Sequence, residues 1–181
     1  AFSTGEIMVC LVINGAFRGF MESYGEALTS VLRDIDGVVS ILVNVNRERT
    51  NVILGTHTKV LWGKDTITDA IGEIKYQISA QSFYQVNPPQ TLRLYQTALD
   101  FADVKPGETV WDMYCGIGTI TLFLAAAVGG SGQVLGVEIV PEAVENARTN
   151  AALNQLTNVE FFCGAAEEVV GSEMVRDKVG P

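Results

Sequence analysis

The stretch TVWDMYCGIGTITL, residues 109–122, decides the fold of this chain. Its β-branched and aromatic start, 109–113, predicts a strand, and the apolar run at 119–127 predicts a helix. Gly116 and Gly118 lie between them and permit a tight turn. This order is typical of the first βα unit of a doubly wound sheet, where backbone amides at a helix N-terminus meet a ligand.

The same alternation continues after this unit. Strands are predicted at 134–138 and 159–163, with a helix from Pro141 to about Leu153 between them. This βαβαβ order predicts a parallel sheet with right-handed crossovers. Eighteen residues follow Cys163, and they contain no convincing fourth strand. The pattern therefore predicts the first half of a Rossmann-like domain, with an open edge at its last strand.

The first part of the chain has a different pattern, that of a strand-rich α+β subdomain. One helix is predicted at 21–32, and Asn87 with Pro88 predicts the start of another. We therefore predict an α/β chain with a central subdomain at 1–86 and a partial Rossmann-like domain at 87–181. The strands predicted in the first part are 7–13, 38–45, 51–54, 60–62 and 74–78.

Composition limits the classes of protein that fit. The 181 residues are 48% hydrophobic with a net charge of −9, which predicts a folded globular protein without a general basic field for nucleic acid. RNA binding would need a local patch or another domain. Three widely spaced cysteines predict reduced thiols, with no disulfide framework and no metal site. Without a membrane span or signal peptide, the expected location is the cytoplasm.

An acidic residue at the end of the second strand indicates the kind of cofactor. Glu138 follows Gly116 by 22 residues, where a carboxylate can accept both hydroxyls of an adenosine ribose. NAD and S-adenosylmethionine sites share this feature. The dinucleotide fingerprint needs a third glycine where this chain has Thr121, so we favour S-adenosylmethionine over NAD. A purely structural turn, with Glu138 solvated, is the alternative interpretation.

Four motifs occur in order along the chain. They are SFYQVNPPQT (82–91), WDMYCGIGTI (111–120), GVEIVPEAVENARTNAALN (136–154) and FFCGAAEE (161–168). Together they resemble the RNA uracil-5-methyltransferases, particularly the bacterial 23S rRNA group. The resemblance extends to GEIMVCLVI (5–13) and NVNRERTNVILG (44–55) in the first half, so it covers nearly the whole chain. It implies that 87–181 is the first half of a Rossmann-like S-adenosylmethionine-dependent methyltransferase domain.

The resemblance also implies which residues bind the cofactor. Gln85 would contact its methionine end, Glu138 its ribose, and Ala165 would flank the adenine. Asp112 would position the glycine loop, with a salt bridge or a cap as the alternative role. The implied cofactor-binding residues are Gln85, Tyr114, Gly116, Gly118, Thr119, Glu138 and Ala165.

The family's catalytic groups do not occur in this sequence. In the family a cysteine thiolate adds to carbon 6 of uracil, and a carboxylate later removes the proton from carbon 5. Neither the D-P-P-R nor the S-C-N-P motif is present, so we expect the nucleophile and the base beyond Pro181. The first residue is Ala1, not Met, which also predicts a fragment, one lacking the N-terminal RNA-binding domain. Cys115 is predicted to be a bystander in the cofactor loop.

The predicted function is methyl transfer from S-adenosylmethionine to carbon 5 of a uridine in 23S rRNA by the full-length protein. RNA is the expected partner, held mostly by parts outside this chain. The 181 residues alone are expected to be inactive and to bind the cofactor weakly. A noncatalytic cofactor-binding or interaction module is the alternative, and a small-molecule methyltransferase is disfavoured by the match of the first half.

The remaining polar and thiol residues are interpreted as structural or solvent-exposed, without a functional role. His57 is predicted in a surface turn, and Cys10 and Cys163 are predicted in the core. The arginines of the first half are predicted to be solvated charges, with contact to RNA phosphates as the alternative. These arginines are Arg18, Arg47 and Arg49.

Overall fold

The computed structural model of the chain describes residues 1–172, which form two compact units. The first unit comprises Ala1–Asp69 with Ile78–Gln81, and the second comprises Ala70–Gln77 with the chain from Ser82 onward. The boundary predicted between residues 86 and 87 stays a prediction. Among the described residues, no helix is long and apolar enough to cross a membrane.

The first unit is built around a three-stranded sheet in the order β1-β2-β3. The strands are β1 (Ile7–Ile13), β2 (Val38–Val45) and β3 (His57–Gly63). β2 pairs in parallel with β1 and antiparallel with β3, and its centre is fully buried. This central position explains why β2 has a nearly continuous apolar sequence, VVSILVNV, with little of the alternation of an exposed strand.

A helical segment connects β1 and β2. It consists of α1 (Phe17–Phe20), a π-helical turn (Met21–Gly25) and α2 (Glu26–Arg33). The sequence predicted one helix at 21–32, so the observed segment begins four residues earlier than predicted. In the π turn the backbone hydrogen bonds run from i to i+5, so the turn joins α1 to α2 as a wider segment within one helical run.

One strand prediction in this unit is wrong, and one observed strand was not predicted. Residues 51–54 form a loop, because the Asn46 side-chain amide donates to the carbonyls of Val52 (2.8 Å) and Ile53 (2.9 Å) in place of a neighbouring strand. Strand β4 (Thr66–Ile71) was not predicted, because its sequence TITDAI contains Asp69, a residue that is rarely buried in a strand. Asp69 accepts hydrogen bonds from the backbone N–H groups of Phe2 and Ser3. β4 pairs with β5 (Ile74–Ser79), and this hairpin contributes residues to both units.

The second unit confirms the predicted alternation. Its elements are α3 (Pro88–Ala102), β6 (Thr109–Asp112), α4 (Thr119–Val128), β7 (Gln133–Glu138), α5 (Pro141–Leu153), β8 (Val159–Cys163) and α6 (Ala166–Gly171). The strands pair in parallel in the order β6-β7-β8, and helices α4 and α5 connect them in sequence. Long buried side chains of β7 and α4, among them Leu135 and Leu122, fill the core of this unit.

The last strand lies at an edge of this sheet, as expected. Within residues 1–172, β8 pairs with β7 alone. A cleft of about 450 Å³ lies beside it, between α5 and α6. The guanidinium of Arg148 on α5 donates to the carbonyl of Phe161 at 3.0 Å, so one edge acceptor of β8 already has a partner.

Two asparagines of α5 bind the edge of β5 in the manner of a neighbouring strand. Asn154 Oδ1 accepts from the N–H of Lys75 (2.9 Å), and its Nδ2 donates to the Lys75 carbonyl (2.7 Å). One helical turn earlier, Asn150 Oδ1 accepts from the N–H of Gln77 (2.7 Å), and its Nδ2 lies 3.4 Å from the Gln77 carbonyl. The i, i+4 spacing on the helix thus matches the i, i+2 spacing on the strand.

Candidate cofactor site

The glycine loop between β6 and α4 uses its two glycines differently. Gly116 and Gly118 both have left-handed backbone angles, with φ of 54° and 83°. A Cβ on Gly118 would lie 3.4 Å from both Ala147 and Phe161, so this glycine permits close packing against α5 and β8. A Cβ on Gly116 would have no atom within 4 Å. The Gly116 backbone is therefore open to an approaching ligand.

The half-buried carboxylate of Asp112 connects this loop to the helix that follows it. The hydroxyl of Thr121, a fully buried residue, donates to Asp112 Oδ2 at 2.6 Å. The backbone N–H of Tyr114 lies 3.4 Å from Oδ1 of the same carboxylate. Burial raises the pKa of Asp112 above its usual range, and these two hydrogen bonds oppose the rise. Asp112 thus positions the loop, and Thr121, which distinguishes this chain from the dinucleotide fingerprint, is its partner.

The acidic residue at the end of β7 contacts the loop directly. Glu138 Oε2 accepts a hydrogen bond from the N–H of Gly116 at 3.0 Å, and Oε1 accepts one from the N–H of Val140 at 2.9 Å. A carboxylate has about four lone-pair sites, so each oxygen retains capacity for a further donor. The structure thus brings together two predicted site residues that lie 22 positions apart in the chain.

Thr119 and Tyr114 have contrasting environments. The hydroxyl of Tyr95 donates to Thr119 Oγ1 (2.9 Å), and the hydroxyl of Tyr76 donates to the Thr119 carbonyl (2.8 Å). The two tyrosines therefore anchor the first residue of α4. The Tyr114 side chain is 82% exposed, which leaves its ring accessible to a ligand.

The two remaining predicted residues lie on separate segments. Gln85 is half-buried between β5 and α3. Ala165 precedes α6, and its carbonyl accepts hydrogen bonds from the N–H groups of Glu168 and Val169. Their role beside the glycine loop stays a prediction. The Glu167–Glu168 pair lies in the first turn of α6.

Sequence reasoning missed the buried residue that supports the loop from α5. Asn150 Nδ2 donates to the carbonyl of Ile117 at 3.1 Å, within the glycine loop itself. The sequence contains a signal for this role, because Asn150 continues the apolar face defined by Val144, Ala147 and Ala151. A polar residue on a buried helix face needs internal hydrogen-bond partners.

The Cys115 thiol in the glycine loop has the properties of a noncatalytic residue. Cys115 is buried, and burial, with smaller contributions from the charges of Asp112 and Glu138, raises its pKa to about 12. It therefore stays a neutral thiol near pH 7, and only a thiolate is an effective nucleophile. The prediction that Cys163 lies in the core is wrong, because this last residue of β8 is exposed. Cys10 is half-buried, and burial raises its pKa.

We expect the cysteines to differ strongly in reactivity. In the native chain at pH 8, iodoacetamide should modify Cys163 quickly and Cys115 at least about a hundredfold more slowly, because Cys115 is both buried and neutral. Mass spectrometry of quenched samples measures both rates. Cys163→Ser should remove the fast phase, and denaturation should make Cys115 reactive. Fast native labelling of Cys115 would contradict its assignment as a bystander.

Known proteins resemble this chain over nearly its whole length. The family described as "Methyltransferase domain" matches residues 104–179. An RNA methyltransferase of Halalkalibacterium halodurans, BH0687, is 52% identical over 168 residues, which cover 93% of this chain and 35% of that protein. An RNA methyltransferase of Clostridium tetani is 47% identical over 170 residues, which cover 94% of this chain and 36% of that protein. The chain is similar to RNA methyltransferases. It spans about a third of the length of these relatives.

A solved structure has the same fold over most of the chain. The Pyrococcus abyssi tRNA (uracil-54, C5)-methyltransferase, in complex with S-adenosyl-L-homocysteine, has a TM-score of 0.65 and 28% identity. The similarity covers 88% of this chain and 36% of that one. The prediction of a Rossmann-like methyltransferase half is confirmed, and the S-adenosyl-L-homocysteine bound to that protein supports the prediction of S-adenosylmethionine as the cofactor.

The residues of this chain fit that cofactor. The open side of Gly116 allows a ligand to approach the backbone, and Glu138 has acceptor capacity beside it. The two residues after Glu138, Ile139 and Val140, are exposed and apolar, and they offer a surface for an aromatic base. A ligand bound beside Glu138 would cover these two side chains.

Proposed function

We propose that this chain is the cofactor-binding part of an RNA methyltransferase that methylates carbon 5 of a uridine in 23S rRNA in the cytoplasm. The observation that carries the proposal is the hydrogen bond between Glu138 and the N–H of Gly116, which forms an acidic, open-sided loop at the carboxyl end of a parallel sheet. The 28% identity to a uracil-C5 methyltransferase supports carbon 5 as the target.

In this proposal the chain binds and orients the methyl donor. S-adenosylmethionine supplies an electrophilic methyl group on a sulfonium. Glu138 would accept from the ribose hydroxyls, Gln85 would contact the methionine end, and Ala165 would flank the adenine. Gly116 and Gly118 would let the backbone approach the cofactor closely, while Tyr114 and Thr119 would complete the wall of the cofactor site. Asp112 would hold the loop in shape through Thr121.

The Cys115 thiol of the glycine loop does not supply the uracil-activating nucleophile. Cys115 is buried and neutral, so it cannot add to carbon 6 of a pyrimidine. We place the nucleophilic cysteine in an S-C-N-P segment of the complete reading frame and the base in a later segment, with a D-P-P-R segment before both, as the resemblance implies. The 181 residues alone should then transfer no methyl group. We expect them to bind S-adenosylmethionine more weakly than about micromolar, roughly −8 kcal/mol.

Trapping on a modified RNA tests the proposal. The protein from the complete reading frame should form a covalent adduct with 23S rRNA fragments that carry 5-fluorouridine, because fluorine at carbon 5 blocks release of the attacking thiolate. Unmodified rRNA should gain 5-methyluridine, and tRNA should not. Methylation of a base amine would contradict the uridine assignment. A stop codon directly after Pro181 would favour the noncatalytic module.

A further inference from the structure

The first unit contains a cleft that the cofactor site does not use. Its volume is about 510 Å³, within the range of sites for small ligands. It combines apolar and cationic side chains, an arrangement suited to a ligand with both a flat ring and negative charge. The lining includes Phe17, Arg47, Val52, Leu54, His57 and Lys59.

Strand β3 forms one wall of this cleft. His57 and Lys59 are two positions apart, so their side chains project from the same face of the strand. His57 begins β3 and is exposed, which corrects its prediction as a turn residue. The Lys59 ammonium lies 4.4 Å from the centre of the Phe17 ring, a cation–π contact that places a positive charge against an aromatic side chain.

The opposite wall is the loop that the sequence pattern mistook for a strand. Asn44, fully buried in β2, accepts from the N–H of Gly55 (2.7 Å) and donates to its carbonyl (2.8 Å). Asn46 donates to the carbonyls of Val52 and Ile53. A Cβ on Gly55 would lie 2.1 Å from the Val45 carbonyl, so only glycine allows this close return of the chain. The cleft is therefore preformed.

The net charge of the cleft lining is opposite in sign to that of the whole chain. The chain carries a net charge of −9, whereas the cleft is lined by two cations, Arg47 and Lys59, and one acid, Glu48. Exposed apolar side chains, Val52 and Ile53, lie on the same loop as Arg47. Cations beside exposed apolar surface are typical of sites that hold both the phosphates and the unstacked bases of a single strand.

We propose that this cleft binds a single-stranded segment of the RNA substrate, an inference that rests on the proposed function for the identity of that substrate. Arg47 and Lys59 contact phosphates, and a base lies against the apolar wall that includes Phe17 and Val52. The bases of a duplex are stacked and expose no free face, so a duplex would gain binding affinity from the charges of the cleft alone. An acidic peptide gains from the charges but has no planar ring for the apolar wall.

Charge reversal tests the cleft on the 181-residue chain. A fluorescein-labelled ten-nucleotide RNA single strand, followed by fluorescence anisotropy, should bind Arg47→Glu/Lys59→Glu at least about tenfold more weakly. The slope of log K against log salt should fall by about 1.4, the value for two lost phosphate contacts on a single strand. The matched control, Arg33→Glu/Arg93→Glu, changes the net charge equally at exposed positions outside the cleft, and it should change affinity less than about twofold.

A second measurement avoids substitutions altogether. An RNA strand that carries 4-thiouridine should crosslink, under long-wavelength light, to peptides that contain residues 44–59 of the unmodified chain. Crosslinks confined to other peptides would overturn the inference. Equal losses of affinity in the two double variants would also overturn it, as would equally tight binding of a ten-residue polyaspartate. Melting temperatures of both variants confirm that each is folded.

The inference and the proposed function can fail separately. RNA binding at the cleft by a protein that methylates no uridine would overturn the proposed function and support the cleft. Methylation of uridine by the protein from the complete reading frame, unchanged in rate and RNA affinity by Arg47→Glu/Lys59→Glu, would support the proposed function and overturn the cleft.

Discussion

Glu138→Ala should weaken S-adenosylmethionine binding about a hundredfold, measured by titration calorimetry on the protein from the complete reading frame. Each hydrogen bond to a charged acceptor contributes roughly 1.5–3 kcal/mol, so losing two to the ribose hydroxyls costs about 3 kcal/mol. The substitution also releases the N–H groups of Gly116 and Val140, which Glu138 holds in the structure. Glu138→Gln, which keeps one acceptor oxygen, should lose less.

The control for this prediction is a nearby exposed carboxylate. Glu142 lies in the first turn of α5, and Glu142→Ala removes the same charge without touching the glycine loop. Its affinity for the cofactor should stay within about twofold of the unmodified protein. If the two alanine variants lost affinity equally, the effect would be one of net charge, and Glu138 would have no specific role.

Asn150→Ala should lower the free energy of unfolding by about 3 kcal/mol, measured by urea denaturation of the 181-residue chain. Asn150 is fully buried, and its amide binds the N–H of Gln77 and the carbonyl of Ile117. Alanine leaves both backbone groups buried without a partner, at roughly 1–3 kcal/mol each. Because Ile117 belongs to the glycine loop, cofactor affinity should fall as well.

Asn154 provides the matched comparison. It makes the same kind of paired contact with β5, at Lys75, but it is only half-buried. Water can replace its amide, so Asn154→Ala should cost about 1 kcal/mol and leave cofactor affinity unchanged. Equal costs for the two variants would contradict the importance of burial at Asn150.

The sequence-based predictions succeeded for features that depend on short-range interactions and failed for features that depend on contacts outside a local window. The βαβαβ half and both glycines were predictable, because strand and helix periodicity and turn chemistry are encoded within short windows. The strand predicted at 51–54 failed for the converse reason. NVIL has good strand residues, but the side chain of Asn46 binds its carbonyls and leaves no place for a strand neighbour.

The candidate site was predictable in part. The pairing of Glu138 with Gly116 follows from the parallel sheet, since β6 and β7 end at the same edge. The anchoring of Thr119 by Tyr76 and Tyr95 does not follow from any local pattern, because Tyr76 lies 43 positions away. Cys163 is exposed because it lies at the end of an edge strand. The apolar sequence of β8 does not indicate that position.

The order of elements from β6 to β8, the glycine loop and the acid that contacts it all follow from the sequence, because each depends on residues that are neighbours in the chain or at the ends of adjacent strands. The hydrogen bonds that hold this loop and the positive charge of the cleft depend instead on tertiary packing. Asn150 reaches a strand 73 positions earlier, and Lys59 meets Phe17 across a cleft. Such contacts form only when packing brings distant segments together, since hydrogen bonds and cation–π contacts act over a few ångströms.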